Sequence, residues 1–161
     1  MIELTLHFDG ACEPVNPGGI ATYGWVLAVA GVSAATGHGV AAEGPGATNN
    51  LAEYYALGHG LRGVQEAVEL WAKVGADPQR LFLTVSGDSQ LVVKQVKGAY
   101  ACRAANLIPL RDRCLSLVAD LKTRLGGIEV VWVPREQNEA ADALSRHAWQ
   151  QYTGKPFPER R

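Results

Sequence analysis

Four acidic residues stand where their carboxylates could perform chemistry. Asp9 closes the alternating run Leu4-Thr5-Leu6-His7-Phe8, and Glu53 stands near the start of a long helical pattern. Asp88 follows a buried strand pattern, and Asp142 lies in the last helical pattern. Such a cluster in an interior is costly unless cations occupy it, because the carboxylates lose hydration and repel one another. Hard divalent ions such as Mg²⁺ prefer oxygen ligands, and a pair of them serves phosphodiester cleavage.

Taken singly, each acid also has an ordinary structural explanation. These are a turn at Asp9-Gly10, a helix cap at Asp88, a capping-box pair of Glu53 with Asn50, and a solvated helix face at Asp142. Jointly these explanations weaken, because each acid lies at the end of an element. In an open α/β sheet, that is where sites form.

The elements that must position these acids follow from hydrophobic periodicity. Alternating or short apolar runs predict strands over residues 2–8, 22–30, 32–41, 81–85 and 128–133, with a turn over 12–19. Spacings of three and four predict helices from about 49 to 74, from Ser89 to before Gly98, over 107–125 and from Asn138 to about Tyr152. The order is β-β-β-α-β-α-α-β-α, typical of an α/β domain with a mixed sheet. We predict one domain over residues 1–150 and a C-terminal tail over 151–161.

Small and uncharged polar residues flank the acids. Gly10 and the pair Gly18-Gly19 allow backbone to approach a ligand closely. Amide and hydroxyl side chains accompany them, namely Asn16, Thr48, Asn49, Asn50, Ser89 and Gln90. Such groups suit sugar hydroxyls, phosphate oxygens and a shallow minor groove. Each of them could also be an ordinary turn or capping residue.

In their chain order, these motifs resemble type 1 ribonuclease H across about residues 3–149. The resemblance is carried by Phe8-Asp9-Gly10 with Asn16-Pro17-Gly18-Gly19, by Thr48 to Glu53, by Gly87-Asp88-Ser89-Gln90, and by Asn138 to Asp142. It implies a ribonuclease H-like fold with a mixed five-stranded sheet flanked by helices. It also implies hydrolysis of the RNA strand of RNA–DNA hybrids with two Mg²⁺ or Mn²⁺ ions, leaving 5′-phosphate and 3′-hydroxyl ends.

The resemblance assigns roles by position. Asp9, Glu53, Asp88 and Asp142 would be the catalytic, metal-binding carboxylates. The substrate contacts it implies are Gly10, Ala11, Cys12, Asn16, Thr48, Asn49, Asn50, Ser89, Gln90 and Asn138. Among these, Asn16, Asn49 and Gln90 would touch the minor groove and 2′-hydroxyls, and Thr48 would hold a DNA phosphate.

Two departures from the family pattern change the expectations. Many members have a histidine in the loop before the last aspartate, whereas residues 134–138 here are Pro-Arg-Glu-Gln-Asn. This resembles a histidine-less subgroup. Arginine cannot act as a base, so Arg135 either stabilises charge on the phosphate as a catalytic residue or is a solvated loop charge.

The second departure is a short, weakly basic segment over 96–105, where some members have a protrusion rich in Lys and Trp. The candidates for binding the substrate electrostatically are then Lys94, Lys97, Arg103 and Arg111. They could equally be ordinary surface charges.

Composition sets outer limits. The chain has 161 residues, 47% of them hydrophobic and 19% charged, which suits one globular domain. The net charge of −1 shows no overall excess of positive charge of the kind that favours binding to a polyanion. No apolar run is long enough for a bilayer, and the first residues show no signal-peptide pattern. The three cysteines lack metal-site spacing, so we expect reduced thiols in a cytoplasmic monomer.

Two other functions are alternatives to the ribonuclease H hypothesis. A non-catalytic binding module of the same fold should have lost one or more acids, and this chain keeps all four. A nuclease or transposase acting on DNA is disfavoured by Thr48-Asn49-Asn50 and Asp88-Ser89-Gln90. It is disfavoured also by the small size of the chain.

Overall fold

A computed structural model describes residues 1–159 and contains one five-stranded sheet. The strands are β1 (Ile2–Glu13), β2 (Ile20–Val29), β3 (Val32–Glu43), β4 (Leu81–Gly87) and β5 (Gly127–Trp132). Their order across the sheet is β3-β2-β1-β4-β5. The first three strands pair antiparallel, whereas β4 pairs parallel with both β1 and β5. The predicted mixed sheet is confirmed.

Four α-helices complete the fold in the predicted order. They are α1 (Asn49–Lys73), α2 (Gln90–Val96), α3 (Ile108–Arg124) and α4 (Glu139–Thr153). Single 3₁₀ turns over Pro78–Arg80 and Arg135–Gln137 precede β4 and α4. Thr48 caps α1, since its Oγ1 accepts a hydrogen bond of 3.1 Å from the Leu51 amide. This satisfies one of the amides that every helix start leaves without a partner.

Helices α1 and α4 cover opposite faces of the sheet. Trp25 of β2 packs against α1, whereas the Thr22 hydroxyl donates a hydrogen bond of 2.9 Å to the Ser145 carbonyl of α4. Residues 22 and 25 differ in parity, so their side chains leave opposite sides of the strand. The main core lies between the sheet and α1 with α3, and includes the fully buried Leu6, Leu57 and Leu61.

Strand β1 is longer than its sequence pattern predicts. The expected strand ended at residue 8 and a turn covered 12–19, yet β1 runs to Glu13. The reason is its two neighbours. Pairing with β4 stops at Phe8 and Gly87, whereas pairing with β2 continues to Glu13 and Ile20. Asp9 therefore lies inside a strand, at the first position beyond the parallel pairing.

The C-terminal end of the described chain packs on α4. That helix runs to Thr153, so the first residues of the predicted tail belong to it, and Gly154 ends it in the left-handed conformation. The Phe157 ring then lies against Trp149. Residues 160 and 161 of the predicted tail lie outside the described residues.

Two smaller expectations concern the thiols and a membrane. Cys12, Cys102 and Cys114 are buried free thiols. Within residues 1–159, no helix combines the length and the apolar character needed to cross a bilayer.

Candidate active site

Three of the four predicted carboxylates meet at one edge of the sheet. One carboxylate oxygen from each of Asp9, Glu53 and Asp88 lies within 4.8 Å of the other two. Asp9 and Glu53 are buried, with 3% and 6% of their surface exposed. Asp9 lies in the interior of β1, Glu53 in the second turn of α1, and Asp88 directly after β4. The structure therefore brings together acids separated by up to 79 residues along the chain.

Close backbone approaches put these elements in place. A Cβ built on Gly10 would lie 2.4 Å from the Ala52 carbonyl carbon, so only glycine lets β1 touch the start of α1. A Cβ on Gly24 would lie 2.6 Å from the Ala141 carbonyl oxygen. That second contact lets α4 approach the sheet beside the acids.

Asp142, in the first turn of α4, joins the cluster through Asp9. The two side chains are hydrogen bonded, and Asp142 is outside the group of three that converge within 4.8 Å. Its Oδ2 accepts a hydrogen bond of 2.9 Å from Arg146 Nε, one turn later in α4. The predicted fourth carboxylate, Asp142, thus lies beside the other three and is also paired with the guanidinium of Arg146.

Burial dominates the electrostatics of the cluster. It raises the pKa of Asp9 far above its ordinary value, because a buried carboxylate loses its hydration. The negative charges of Glu53 and Asp88 raise the pKa of Asp9 further, as do hydrogen bonds with Asp142 and Glu53. Without a cation, the site therefore favours a protonated Asp9.

The donor set fits a hard divalent cation. All the converging ligand atoms are carboxylate oxygens, which Mg²⁺ and Mn²⁺ prefer. In addition, no donor within the described chain reaches Asp9 Oδ2, although that oxygen is buried. A buried oxygen without a partner is costly, and a bound cation would satisfy it. Asp9, Glu53 and Asp88 would hold such an ion, with Asp142 beside them.

A cavity of 330 Å³ opens over the acids, and five of the ten predicted substrate contacts line it. Its lining includes Gly10, Ala11, Asn49, Asn50 and Ser89, together with Arg135. The exposed Arg135 begins the 3₁₀ turn before α4, so its guanidinium is available at the rim.

Asn16 and Asn49 form a bridge from the turn after β1 to the start of α1. The Asn49 amide donates to Asn16 Oδ1 at 3.1 Å, and Asn49 Oδ1 accepts from the Cys12 amide at 2.8 Å. Thr48 is the cap described above. Gln90 is exposed in the first turn of α2, beside Ser89, whose Oγ accepts from the Val92 amide.

Cys12 is a predicted substrate contact, and its side chain faces the interior. Cys12 is 3% exposed, and its thiol donates to the carbonyls of Val15 and Ala47 at 3.2 and 3.4 Å. Its side chain points inward because β1 continues past Gly10. The Cys12 thiol therefore packs the turn rather than facing the cavity.

Asn138, another predicted substrate contact, also has a buried side chain. It is 1% exposed, its Nδ2 donates to the Phe8 carbonyl at 2.9 Å, and its Oδ1 accepts from His7 Nδ1 at 3.2 Å. Asn138 stands at the N-cap position of α4, and its side chain makes no cap hydrogen bond. Instead, Asn138 ties the start of α4 to the strand residue before Asp9.

The basic residues beyond the site differ in availability. Lys97 and Arg103 are exposed. Arg111 is paired with Asp112 at 2.8 Å, and Lys94 bonds to the Tyr100 hydroxyl at 3.2 Å. Within residues 1–159, neither Lys97 nor Arg103 has a salt-bridge partner, so both are better placed than the paired cations to meet a polyanion.

Three residues that contribute to the site, Trp132, Glu13 and Arg146, were not predicted from the sequence. Trp132 Nε1 donates to the Asp88 carbonyl at 3.1 Å and steadies the turn after β4. Glu13 lines the cavity because β1 is longer than predicted. Arg146 contacts Asp142, and its spacing of four residues on one helix was a usable signal. No local pattern pointed to Trp132.

A mixed sheet in the order β3-β2-β1-β4-β5, with acids from β1, α1, the end of β4 and α4 at one edge, defines the ribonuclease H-like class. Residues 7–148 match the family model described as reverse transcriptase-like. The chain belongs to this family and, within it, to the ribonuclease H1 type.

Individual relatives support this family assignment. The chain is 39% identical to ribonuclease HI of Halobacterium salinarum over 146 residues, which cover 88% of this chain and 62% of that protein. The chain thus spans about three fifths of that relative. The RNase H1 crystal structure from Halobacterium salinarum NRC-1 superposes with a TM-score of 0.70 at 35% identity, covering 92% of this chain and 98% of that one. LC11-RNase H1 in complex with an RNA/DNA hybrid gives 0.71 at 27% identity, covering 94% and 99%.

Proposed function

We propose that this chain is an endonuclease that hydrolyses the RNA strand of RNA–DNA hybrids with two divalent cations. The products would carry 5′-phosphate and 3′-hydroxyl ends. The observation that carries the proposal is the convergence of Asp9, Glu53 and Asp88 within 4.8 Å, with Asp142 bonded to Asp9. Family membership and the hybrid bound to LC11-RNase H1 support the substrate class.

The side chains at the acidic cluster define the reaction. Bound divalent ions would activate a water and neutralise charge growing on the scissile phosphate. The bond broken joins phosphorus to the 3′-oxygen, the oxygen of water enters the phosphate, and the leaving 3′-oxygen gains a proton. Asp9, Glu53, Asp88 and Asp142 would hold the ions. Buried carboxylates suit this work because few competing waters reach them.

The cavity lining explains how the substrate would be held. Asn49, Asn50 and the backbone of Gly10 and Ala11 present uncharged donors and acceptors beside the acids. Such groups can bond to a 2′-hydroxyl, which distinguishes RNA from DNA at the cleaved position. Arg135 lies on the same lining and supplies charge-assisted hydrogen bonds to phosphate oxygens. The site thus selects its strand by hydroxyl contacts and anchors it through Arg135.

The decisive experiment compares four duplexes in a gel assay with Mg²⁺ or Mn²⁺. They are an RNA–DNA hybrid, double-stranded RNA, double-stranded DNA, and DNA with a single ribonucleotide. We expect cleavage of the RNA strand in the hybrid and no cleavage of DNA. Mapping the ends with a phosphatase and a 5′-kinase tests for 5′-phosphates. The Asp9→Asn variant is the matched control, because it keeps the side-chain size and removes one ligand charge.

Other outcomes would change the proposal. Cleavage of DNA would favour the DNA nuclease alternative, and tight binding without cleavage would favour a non-catalytic module. Preference for Mg²⁺ or Mn²⁺, a monomeric state and a cytoplasmic location remain predictions. Sedimentation of the pure chain tests the oligomeric state.

A further inference from the structure

We propose that Phe157, beyond the last helix, is a positioning residue for the acidic site and acts through Arg146 on Asp142. The catalytic consequence rests on the proposed function. The effect on metal binding does not need nucleic acid, so the two can be tested separately.

The first contact joins Phe157 to Arg146. The guanidinium carbon of Arg146 lies 4.9 Å from the centre of the Phe157 ring. A planar guanidinium is attracted to the face of an aromatic ring and loses freedom when it stacks there. The Arg146 side chain is 38% exposed, so this ring restrains a group that solvent would otherwise leave mobile.

The second contact joins Arg146 to the acidic cluster. Arg146 Nε lies 2.9 Å from Asp142 Oδ2, and the two residues are one helical turn apart. The Asp142 side chain is only 15% exposed and also bonds to Asp9. Holding one oxygen of a carboxylate sets the direction of the other, and groups behind a ligand in this way tune metal affinity. Two contacts therefore connect Phe157 to a metal-binding carboxylate.

Trp149 holds the Phe157 ring in place beside Arg146. The Phe157 and Trp149 rings meet edge to face, with centroids 5.5 Å apart and planes at 78°. Trp149 is 5% exposed, and its Nε1 donates to the Glu13 carbonyl at 3.0 Å. Phe157 thus packs on Trp149 and Arg146, which share one face of α4, and reaches Asp142 through Arg146.

The test measures binding of Mn²⁺ to the full chain by calorimetry, without nucleic acid. We expect Phe157→Ala and Arg146→Ala each to weaken binding about threefold to tenfold, the scale of one cation–π contact. The double variant should bind no more weakly than Arg146→Ala, because both residues act on one path. Lys155→Ala is the matched control, since its side chain makes none of these contacts, and should bind like the parent.

A second variant separates positioning from packing. Phe157→Leu keeps apolar cover on Trp149 but has no ring face for Arg146. We expect its melting temperature to stay near that of the parent, while its Mn²⁺ affinity falls as in Phe157→Ala. In hybrid cleavage, the half-saturating Mg²⁺ concentration should rise by the same factor, with the maximal rate changed less than about twofold.

Three results would overturn the inference. They are parental Mn²⁺ affinity in both Phe157 variants, additive weakening in the double variant, and a parent chain that binds no Mn²⁺. If the parent binds Mn²⁺ but cleaves no hybrid, the proposed function fails and the calorimetry still decides the role of Phe157.

Discussion

Gly10 and Glu53 lie in direct backbone contact, because a Cβ on Gly10 would come within 2.5 Å of the Glu53 amide nitrogen. This contact lets the strand that carries Asp9 meet the helix that carries Glu53. The distance between the two buried acids therefore depends on the absence of a side chain at position 10.

Gly10→Ala tests this dependence. The new methyl group would press on the backbone of Ala52 and Glu53, which cannot move aside as a flexible side chain would. We expect a loss of about 1–3 kcal/mol in the free energy of unfolding and a large loss of hybrid cleavage. Urea denaturation and turnover are the measurements. Gly46→Ala is the control, because a Cβ there meets nothing within 4 Å, and it should change neither.

Asp9→Asn tests the electrostatic cost of the cluster. Because the pKa of Asp9 is raised in the metal-free fold, the contribution of Asp9 to stability is fully present below the ordinary value of 3.8 and is lost as the pH rises from there toward the raised folded value. Asparagine removes this loss, so at pH 7 we expect the metal-free variant to be more stable by about 1–3 kcal/mol.

The same variant should lose almost all cleavage and its stabilisation by Mg²⁺. Melting curves from pH 4 to 8, with and without Mg²⁺, provide the measurement. The assignment is wrong if Mg²⁺ raises the melting temperature of Asp9→Asn as much as that of the parent, or if substantial turnover remains.

Arg135 supplies the cationic side chain at the rim of the cavity. Replacement by alanine should lower turnover at saturating hybrid about 10- to 1000-fold, the span for one group that stabilises transition-state charge. Lysine should restore only part of the rate, because it lacks the planar fork. Parental turnover in Arg135→Ala would make this residue an ordinary surface charge. Glu136→Ala, at the exposed neighbouring position, is the control.

Asn138 links the start of α4 to β1 beside Asp9. Asn138→Ala leaves buried partners at Phe8 and His7 with fewer hydrogen bonds, so we expect a loss of about 1–3 kcal/mol in the free energy of unfolding. Turnover should also fall, because α4 carries Asp142. Thermal unfolding and hybrid cleavage check this. Gln137→Ala, at an exposed position, should match the parent in both, and equal stability of the two variants would contradict the role of Asn138.

Local pattern in the sequence was sufficient for the order of the nine main elements and for most of their boundaries. Helix α1, for example, follows from apolar residues spaced by three and four and from the cap at Thr48. These signals are short-range, since a side chain's place on a helix or strand follows from its neighbours in sequence. The four acids were also identifiable, because the residue types around them form a specific set.

Only the tertiary structure decided how these pieces meet. Strand β1 passes Asp9 because β2 offers it partners as far as Glu13, a pairing that no pattern within β1 reveals. That extension turns the Cys12 thiol inward, and the approach of α4 to β1 buries Asn138. The contact of Phe157 with Arg146 likewise depends on how the chain returns after Gly154. Such contacts are set by packing between segments distant in sequence, so local periodicity does not encode them.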